Sequence, residues 1–366
     1  MAVTQIAWGD PKAVKRWAPK LHRDVNADGY FSRKFVGKTS NSICQEKTEL
    51  EKDAGDTISF DLEARLKGGL VEGDATAAGN ESMLKHYTDT ITIDQARKPV
   101  ACGGRMSRQR TEHNLRESAS IQLKNYWQQV FDELYFMYLS GDRGTDHSDI
   151  FPLEYTGRAN NALRAPSASH HLFGGNATSI ATLDATDKMD VNLIERADVR
   201  AGNMTKNFPN AVNMYPMMVD GEERYVMIMS LIQAFDLRTG AGTGNWLDIN
   251  KALMTHSGTA SPVVKGGLGM INNTILHAHR NVIGRSDAGV GNNVAMAEAL
   301  FCARQALAVA YAATDDGRRM SWVEDMTDYK NNPVIAGGYI FGMSKCRFNG
   351  GDFGVMRLDT AAANPN

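Results

Sequence analysis

Between Leu115 and Tyr138 the apolar positions recur every three or four residues. Leu115, Ala119, Leu123, Tyr126 with Trp127, Val130 with Phe131, Leu134, and Met137 with Tyr138 all fall on one helical face. Neither proline nor glycine interrupts 107–140, so the spacing predicts one helix over that whole stretch. Ser107 is placed to cap its start, and Gly141 suits a left-handed stop beyond its end. At ~1.5 Å per residue such a helix is roughly 50 Å long, whereas a compact chain of this size has a radius of gyration near ~21 Å. Past Tyr126 almost every side is apolar, which predicts burial all round for the second half and one wet face for the first. The charges run against the helix dipole, with Arg108 and Arg110 at the start and Asp132 and Glu133 near the end. Something outside the helix must hold it, although a long core helix of an enzyme would show the same pattern.

Upstream the period changes to two. In "DTISFDLEARL", Ile58, Phe60, Leu62, Ala64 and Leu66 alternate with polar residues, and in "HYTDTITID" Tyr87, Ile91 and Ile93 do the same. The intervening "KGGLVEGDATAAGNES" reads as a flexible tip. Together these segments predict a two-stranded hairpin over 57–94, each arm reaching about 30 Å at ~3.3 Å per residue. An isolated hairpin is marginal in water, so its apolar stripe calls for a partner surface on the same chain or on a neighbour.

Residues 1–40 carry eight Lys or Arg against three Asp, a surplus of +5, and read as an extended basic arm with at most a short helix around Ala13–Trp17. Trp8, Trp17, Tyr30, Phe31 and Phe35 make it too aromatic for a free linker, so it is expected to dock. After the long helix, 142–185 is read mostly as loop. The remainder predicts a helix from near Thr186, a buried strand in "RYVMIMSLIQAFDL", a helix in "NWLDINKALM" and a strand in "GGLGMINNTILHAHRNVI". An Ala-rich helix is expected over 295–313, and short strands finish the chain in "PVIAGGYIFGMSKCRF" and "DFGVMRLDT". The fold class is α+β.

Composition bounds the function. With 42% hydrophobic residues, 22% charged and a net charge of −2, the chain can bury a large core and presents no dominant basic face. Contact with nucleic acid is therefore expected to be weak and non-specific, through arm cations and phosphates. There is no run of eighteen apolar residues and the first residues lack a signal-peptide core, so folding in a cytosol and no membrane partner are expected. Cys44, Cys102, Cys302 and Cys346 lie far apart and read as buried reduced thiols.

Candidate chemistry is thin. Gly240, Gly242 and Gly244 look like the start of a dinucleotide fingerprint between a strand and a helix, but the spacing is G-x-G-x-G. "DAGVGNN" has no P-loop lysine and reads as a turn. His277 and His279 share a strand face without a third ligand, while His147 and the pair His170 and His171 read as solvated loop. No nucleophile elbow, zincin motif or paired carboxylate is visible. No enzyme activity, cofactor or metal is expected.

The order of parts, and segments such as "FVGKTSNSICQEKTELEKDAGDTISFDLEARLKGGLVEGDATAAGNES", "TITIDQARKPV", "MSRQRTEHNLRESASIQLKNYWQQVFDELYFMYLSG" and "GGLGMINNTILHAHRNVI", resemble the major capsid (coat) proteins of tailed bacteriophages with the HK97 fold, in their N-four-like podovirus branch. The resemblance runs from about Phe31 to Leu358. It implies an N-terminal arm (1–45), an extended β-hairpin loop (46–100), a peripheral domain (101–185) with a spine helix over 107–140, a mixed α/β axial domain (186–315), and C-terminal strands (316–366) returning to the peripheral domain. It further implies self-assembly into hexamers and pentamers of an icosahedral virion shell around double-stranded DNA, built in the host bacterial cytoplasm, with scaffolding, portal and decoration proteins as possible further partners. No Lys–Asn crosslinking pair is identifiable, so assembly is expected to be non-covalent. The expected subunit contacts are Arg33, Lys34 and Phe35 of the arm and Ile58, Phe60, Leu62, Leu66, Tyr87, Ile91 and Ile93 of the hairpin. A protein nanocompartment of the same fold and a nucleotide-binding α/β enzyme using Gly240–Gly244 are the alternatives.

Overall fold

A computed structural model of the protein describes residues 29–365 except 52–54, 64–68, 74–75, 77, 80, 82, 113, 146–147, 149, 209–210, 220, 241–267 and 315–316. The expected helices near Ala13–Trp17 and in 245–254, and the position of Leu66, lie outside the described residues.

A five-residue helix, α1 (Tyr30–Lys34), leads into β1 (Val36–Gly37) and β2 (Cys44–Lys47). The hairpin follows as β3 (Thr57–Glu63) and β4 (His86–Thr92), and β5 (Asp94–Ala101) then enters a sheet of the body. The long helix starts later than its apolar spacing suggests. A separate short helix, α2 (Arg105–Gln109), precedes α3 (Leu115–Ser140), whose Asn114 side chain accepts from the Glu117 N–H at 3.4 Å. The break removes the misfit with the dipole at the start only: Arg108 ends a different helix and Glu117 occupies the first turn of α3, while Asp132 and Glu133 remain in its second half. At ~1.5 Å per residue α3 is roughly 39 Å long. It stops at Gly141, which takes φ 79° and whose added Cβ would sit 1.8 Å from the Arg164 carbonyl oxygen.

The segment after α3 is mostly loop, with the paired β6 (Gly157–Arg158) and β7 (Asn161–Ala162), then β8 (His171–Phe173). Next come α4 (Val191–Asn207), capped by Asp190 rather than Thr186, and β9 (Met217–Val219). The run read as one buried strand is β10 (Glu222–Met229) followed by α5 (Leu231–Thr239), with a Ser230–Gln233 capping box at the switch. Two short strands, β11 (Gly269–Ile271) and β12 (Thr274–Ala278), form a hairpin, and β13 (Gly284–Ala288) follows.

The expected Ala-rich helix over 295–313 is two strands, β14 (Val294–Cys302) and β15 (Leu307–Ala312), separated by a turn in which Gln305 has φ 55°. Both strands are interior and covered on both faces, so their residues form a continuous apolar run that period alone does not separate from a buried helix. The chain ends through β16 (Met320–Thr327), the fourteen-residue β17 (Asn332–Lys345), β18 (Arg347–Phe348), β19 (Gly351–Asp352) and β20 (Val355–Ala361).

Two sheets result. Six strands, ordered β1-β2-β15-β17-β16 with β5 also on β17, form one. Eight form the other, ordered β11-β12-β10-β14-β20-β8, with β13 on β14 and β9 on β10. Of the C-terminal strands, β16 and β17 join the six-stranded sheet, while β20 sits between β14 and β8 in the other. Helix α3 fills one core shared by the two sheets, with Leu123, Trp127, Phe131 and Tyr138 packed among Tyr339, Phe341, Val226, Ile228 and Leu300. On its other face the eight-stranded sheet turns Met227, Met229, Phe301 and Leu358 toward Leu193, Ile194 and Met204 of α4 and Leu237 of α5. That two-sided coverage explains the uninterrupted "YVMIM" of β10.

Candidate subunit interface

The hairpin has a rooted base and, among the described residues toward its tip, exposed apolar side chains. Ile58 pairs with Ile91, Phe60 with Asp89 and Leu62 with Tyr87, so one face carries the apolar stripe. At the base, Ile58, Ile91 and Ile93 are buried against Leu50, Ala308, Ala310, Cys346, Phe348 and Phe353 of the same chain. Phe60 is half-buried, 6.0 Å edge-on from Phe348 and beneath the Lys47 ammonium at 5.3 Å. Asp89 is buried beside them and receives the Arg164 guanidinium at 2.8 Å and the Arg347 N–H at 3.0 Å. Asn161 completes the root by bonding both the N–H and the C=O of Thr92, at 3.0 and 2.7 Å. Gly342 leaves room for this join, since a Cβ there would lie 2.1 Å from the Thr92 oxygen.

This corrects the expectation that the whole stripe awaits a neighbour. Ile58, Ile91 and Ile93 are covered by their own chain because the hairpin base lies across β15 and the β18–β19 turn. Phe35 is also buried within the chain, against Phe31 and His277. Leu62 and Tyr87 remain half-exposed further out, and Arg33 and Lys34 are exposed. Toward the tip, Leu70 is 90% exposed, Met83 84% and Leu84 66%, with Val71 beside them. Sequence reasoning passed over these four because they sit among Gly, Ala and polar residues. Their clustering in an otherwise polar turn was the available signal.

The arm's first described turn docks on α3. The Tyr30 N–H donates to Asp132 at 3.0 Å, and the Phe31 ring stacks on Tyr135 at 5.0 Å and meets Phe136 edge-on at 4.9 Å. This is the external hold that Asp132, late in its helix, required. Burial raises the Asp132 carboxyl to about 6, against the lowering pull of the Tyr30 and Phe31 N–H groups and of Arg280.

Gly240 caps α5, so the glycine series follows a helix rather than a strand, and Gly242 and Gly244 lie outside the described residues. Among the described residues no group of three or more His, Cys, Asp or Glu is arranged to hold a metal. His170 and His171 are not solvated loop: His170 is fully buried, and His171 bonds Asp359 at 2.7 Å.

A long central helix, two large sheets and a hairpin rooted in the body, with exposed apolar residues toward its tip, make up the described architecture. The chain belongs to the phage capsid protein family, whose sequence profile matches residues 5–364. It is 28% identical to the major capsid protein of Pseudomonas phage KPP25, over 94% of both chains. Among solved structures it is similar to the capsid of Ralstonia phage GP4, at 48% identity, full coverage of both chains and a TM-score of 0.84. The fold also matches the Cyanophage Pam1 capsid asymmetric unit, at a TM-score of 0.71 and 23% identity over 90% of this chain and 92% of that one. The protein is a major capsid subunit with the HK97-type fold, a structural component of the phage shell.

Proposed function

We propose that the chain tiles an icosahedral shell as hexamers and pentamers around double-stranded DNA, assembling without covalent crosslinks in the host bacterial cytoplasm, and that its role is structural rather than catalytic. The observation that carries the contact scheme is the contrast along one hairpin: a base fastened to the body and a tip exposing Leu70, Met83 and Leu84. Apolar surface held that far from its own core gains by being covered with a second copy, at ~25 cal/mol per Å² before association costs. Leu62 and Tyr87 extend the contact inward, Leu66 continues it in sequence, and the exposed Arg33 and Lys34 add a charged contact from the arm. Scaffolding, portal and decoration proteins are the further partners the reading admits.

The test is to replace 68–84 by a short turn. The root residues Ile58, Asp89 and Ile91 stay, so the variant is expected to remain folded with an unchanged melting transition and to form no shells under electron microscopy. Normal particles from this variant would remove the hairpin from the interface.

A further inference from the structure

Three titratable side chains lie under the short helix that docks the arm. The Tyr30 N–H donates to both oxygens of Asp132, at 3.0 and 3.3 Å. The Tyr30 ring lies 4.3 Å from the His279 ring and 6.4 Å from that of His277. His279 also stacks on Phe136 at 5.1 Å, and Phe35 meets His277 edge-on at 5.5 Å. His277 is buried, and its Nδ1 has no hydrogen-bond partner. The charges facing this joint are mostly cationic. Lys34 of α1 places its ammonium 4.9 Å from the centre of the Tyr30 ring, Arg33 adjoins it, and Arg280 follows His279 directly. From α3 the joint receives Asp132, whereas Glu133 is engaged by Gln129 and Ser148; β14 contributes the buried Cys302 thiol.

We propose that this joint is an acid-released latch: neutral His277 and His279 seat α1 against α3, and acidification, by charging both rings beside Lys34 and Arg280, lifts the arm's first described turn off the body. The proposal rests on this joint, which shares Lys34 with the subunit contacts proposed above; it is read on the unassembled chain.

Burial lowers both imidazoles from 6.5 to about 4, helped by Lys34 at His277 and by Arg280 and Lys34 at His279. Their support for docking is therefore complete above pH 6.5 and is lost as pH falls through about 4. Asp132 acts in the opposite sense. Raised from 3.8 to about 6, it favours docking fully below pH 3.8 and loses that contribution as pH rises through about 6. Around pH 5, undocking binds two protons on the histidines and releases one from Asp132. The net uptake of about one proton makes the docking equilibrium change about tenfold per pH unit.

Hydrogen exchange on the full-length chain reads this directly. After correction for intrinsic rates, protection of 30–36 is expected to fall roughly fifty- to a hundredfold between pH 7.5 and 5.0, while protection of 355–361 in β20 holds. Asp132→Asn removes the opposing proton and is expected to deepen the fall to several hundredfold. The double variant His277→Gln, His279→Gln is expected to reverse it, with protection rising about tenfold on acidification. Equal protection at the two pH values in the native chain overturns the latch, as does a fall that the double variant retains. Should the double variant also lose protection in 355–361, Asp132→Asn decides: an undeepened fall overturns the proposal.

Discussion

Glu298 and Asp359 stand directly opposite one another on β14 and β20, both fully buried, an arrangement two ionised carboxylates do not tolerate without help. Arg357 lies between them, 3.2 Å from Glu298 and 2.9 Å from Asp359, and the Ser140 hydroxyl at the end of α3 donates to Glu298. Asp142 and Arg285 extend the network beyond Gly141 and so fasten the long helix to the eight-stranded sheet. Burial pushes the Glu298 carboxyl up to about 8, with Arg357 opposing and Asp359 reinforcing the shift. A carboxyl raised this way stabilises the fold fully below its ordinary value of 4.5 and loses that contribution as pH rises through about 8. This one contribution is therefore expected to fall by on the order of 1–3 kcal/mol between pH 6 and 9, while the buried Lys345 and the depressed His170, His277 and His279 act in the opposite sense. Glu298→Gln, which keeps the neutral shape, removes this contribution, so in denaturant titrations the variant is expected to gain that amount on the native chain between the two pH values, and parallel pH profiles would assign the effect elsewhere. None of this was legible in the sequence: "AMAEALF" carries one charge and "GVMRLDT" two, and their neighbours are set by strand register.

At the scale of elements, what was legible followed period and punctuation. The alternation of Ile58, Phe60 and Leu62 with that of Tyr87 and Ile91 located both strands of the hairpin, and Gly141 located the end of α3. The start of α3 was misplaced because its apolar stripe says nothing about caps, although "NLRE" offers Asn114 followed by Glu117, a better start than Ser107. The run 295–313 failed for a different reason: alanine favours helices locally, but sheet partners on both sides of β14 and β15 outweigh that preference. The alternating stripe was likewise ambiguous between core and interface; the structure buries Ile58, Ile91 and Ile93 within the chain and leaves Leu62 and Tyr87 half-exposed. Ile91→Ala at the root is expected to cost about 2–5 kcal/mol of stability. Met83→Ser with Leu84→Ser at the tip should stay within about 0.5 kcal/mol of the native chain yet abolish particle formation. Urea unfolding and sedimentation measure the two effects separately, and a tip variant that destabilises the subunit as much as the root variant would mean that the tip, too, packs on its own chain.

For the whole molecule, stiffness and reach come from different parts. Helix α3 runs through the core shared by both sheets, so the body resists bending along its length, while hairpin and arm extend from anchors on that body. The anchors are what single-chain packing reveals; under the proposed contact scheme the exposed tip residues and the arm's cations are covered by neighbouring copies in the shell. Arg33 and Lys34 fit this division, being exposed on a helix whose other side is locked to α3 by Phe31 and Tyr30. The double charge reversal Arg33→Glu, Lys34→Glu is therefore expected to leave stability within about 0.5 kcal/mol when measured at pH 8, where His277 and His279 are neutral. Shell yield should fall sharply, and the native chain's own yield should fall as salt shortens the reach of charged contacts, from about 30 Å at 0.01 M to about 3 Å at 1 M. Light scattering across a salt series measures both. Native shell yield indifferent to salt, together with full assembly of the double variant, would leave the arm as a clasp within the subunit and place the burden of association on the hairpin tip.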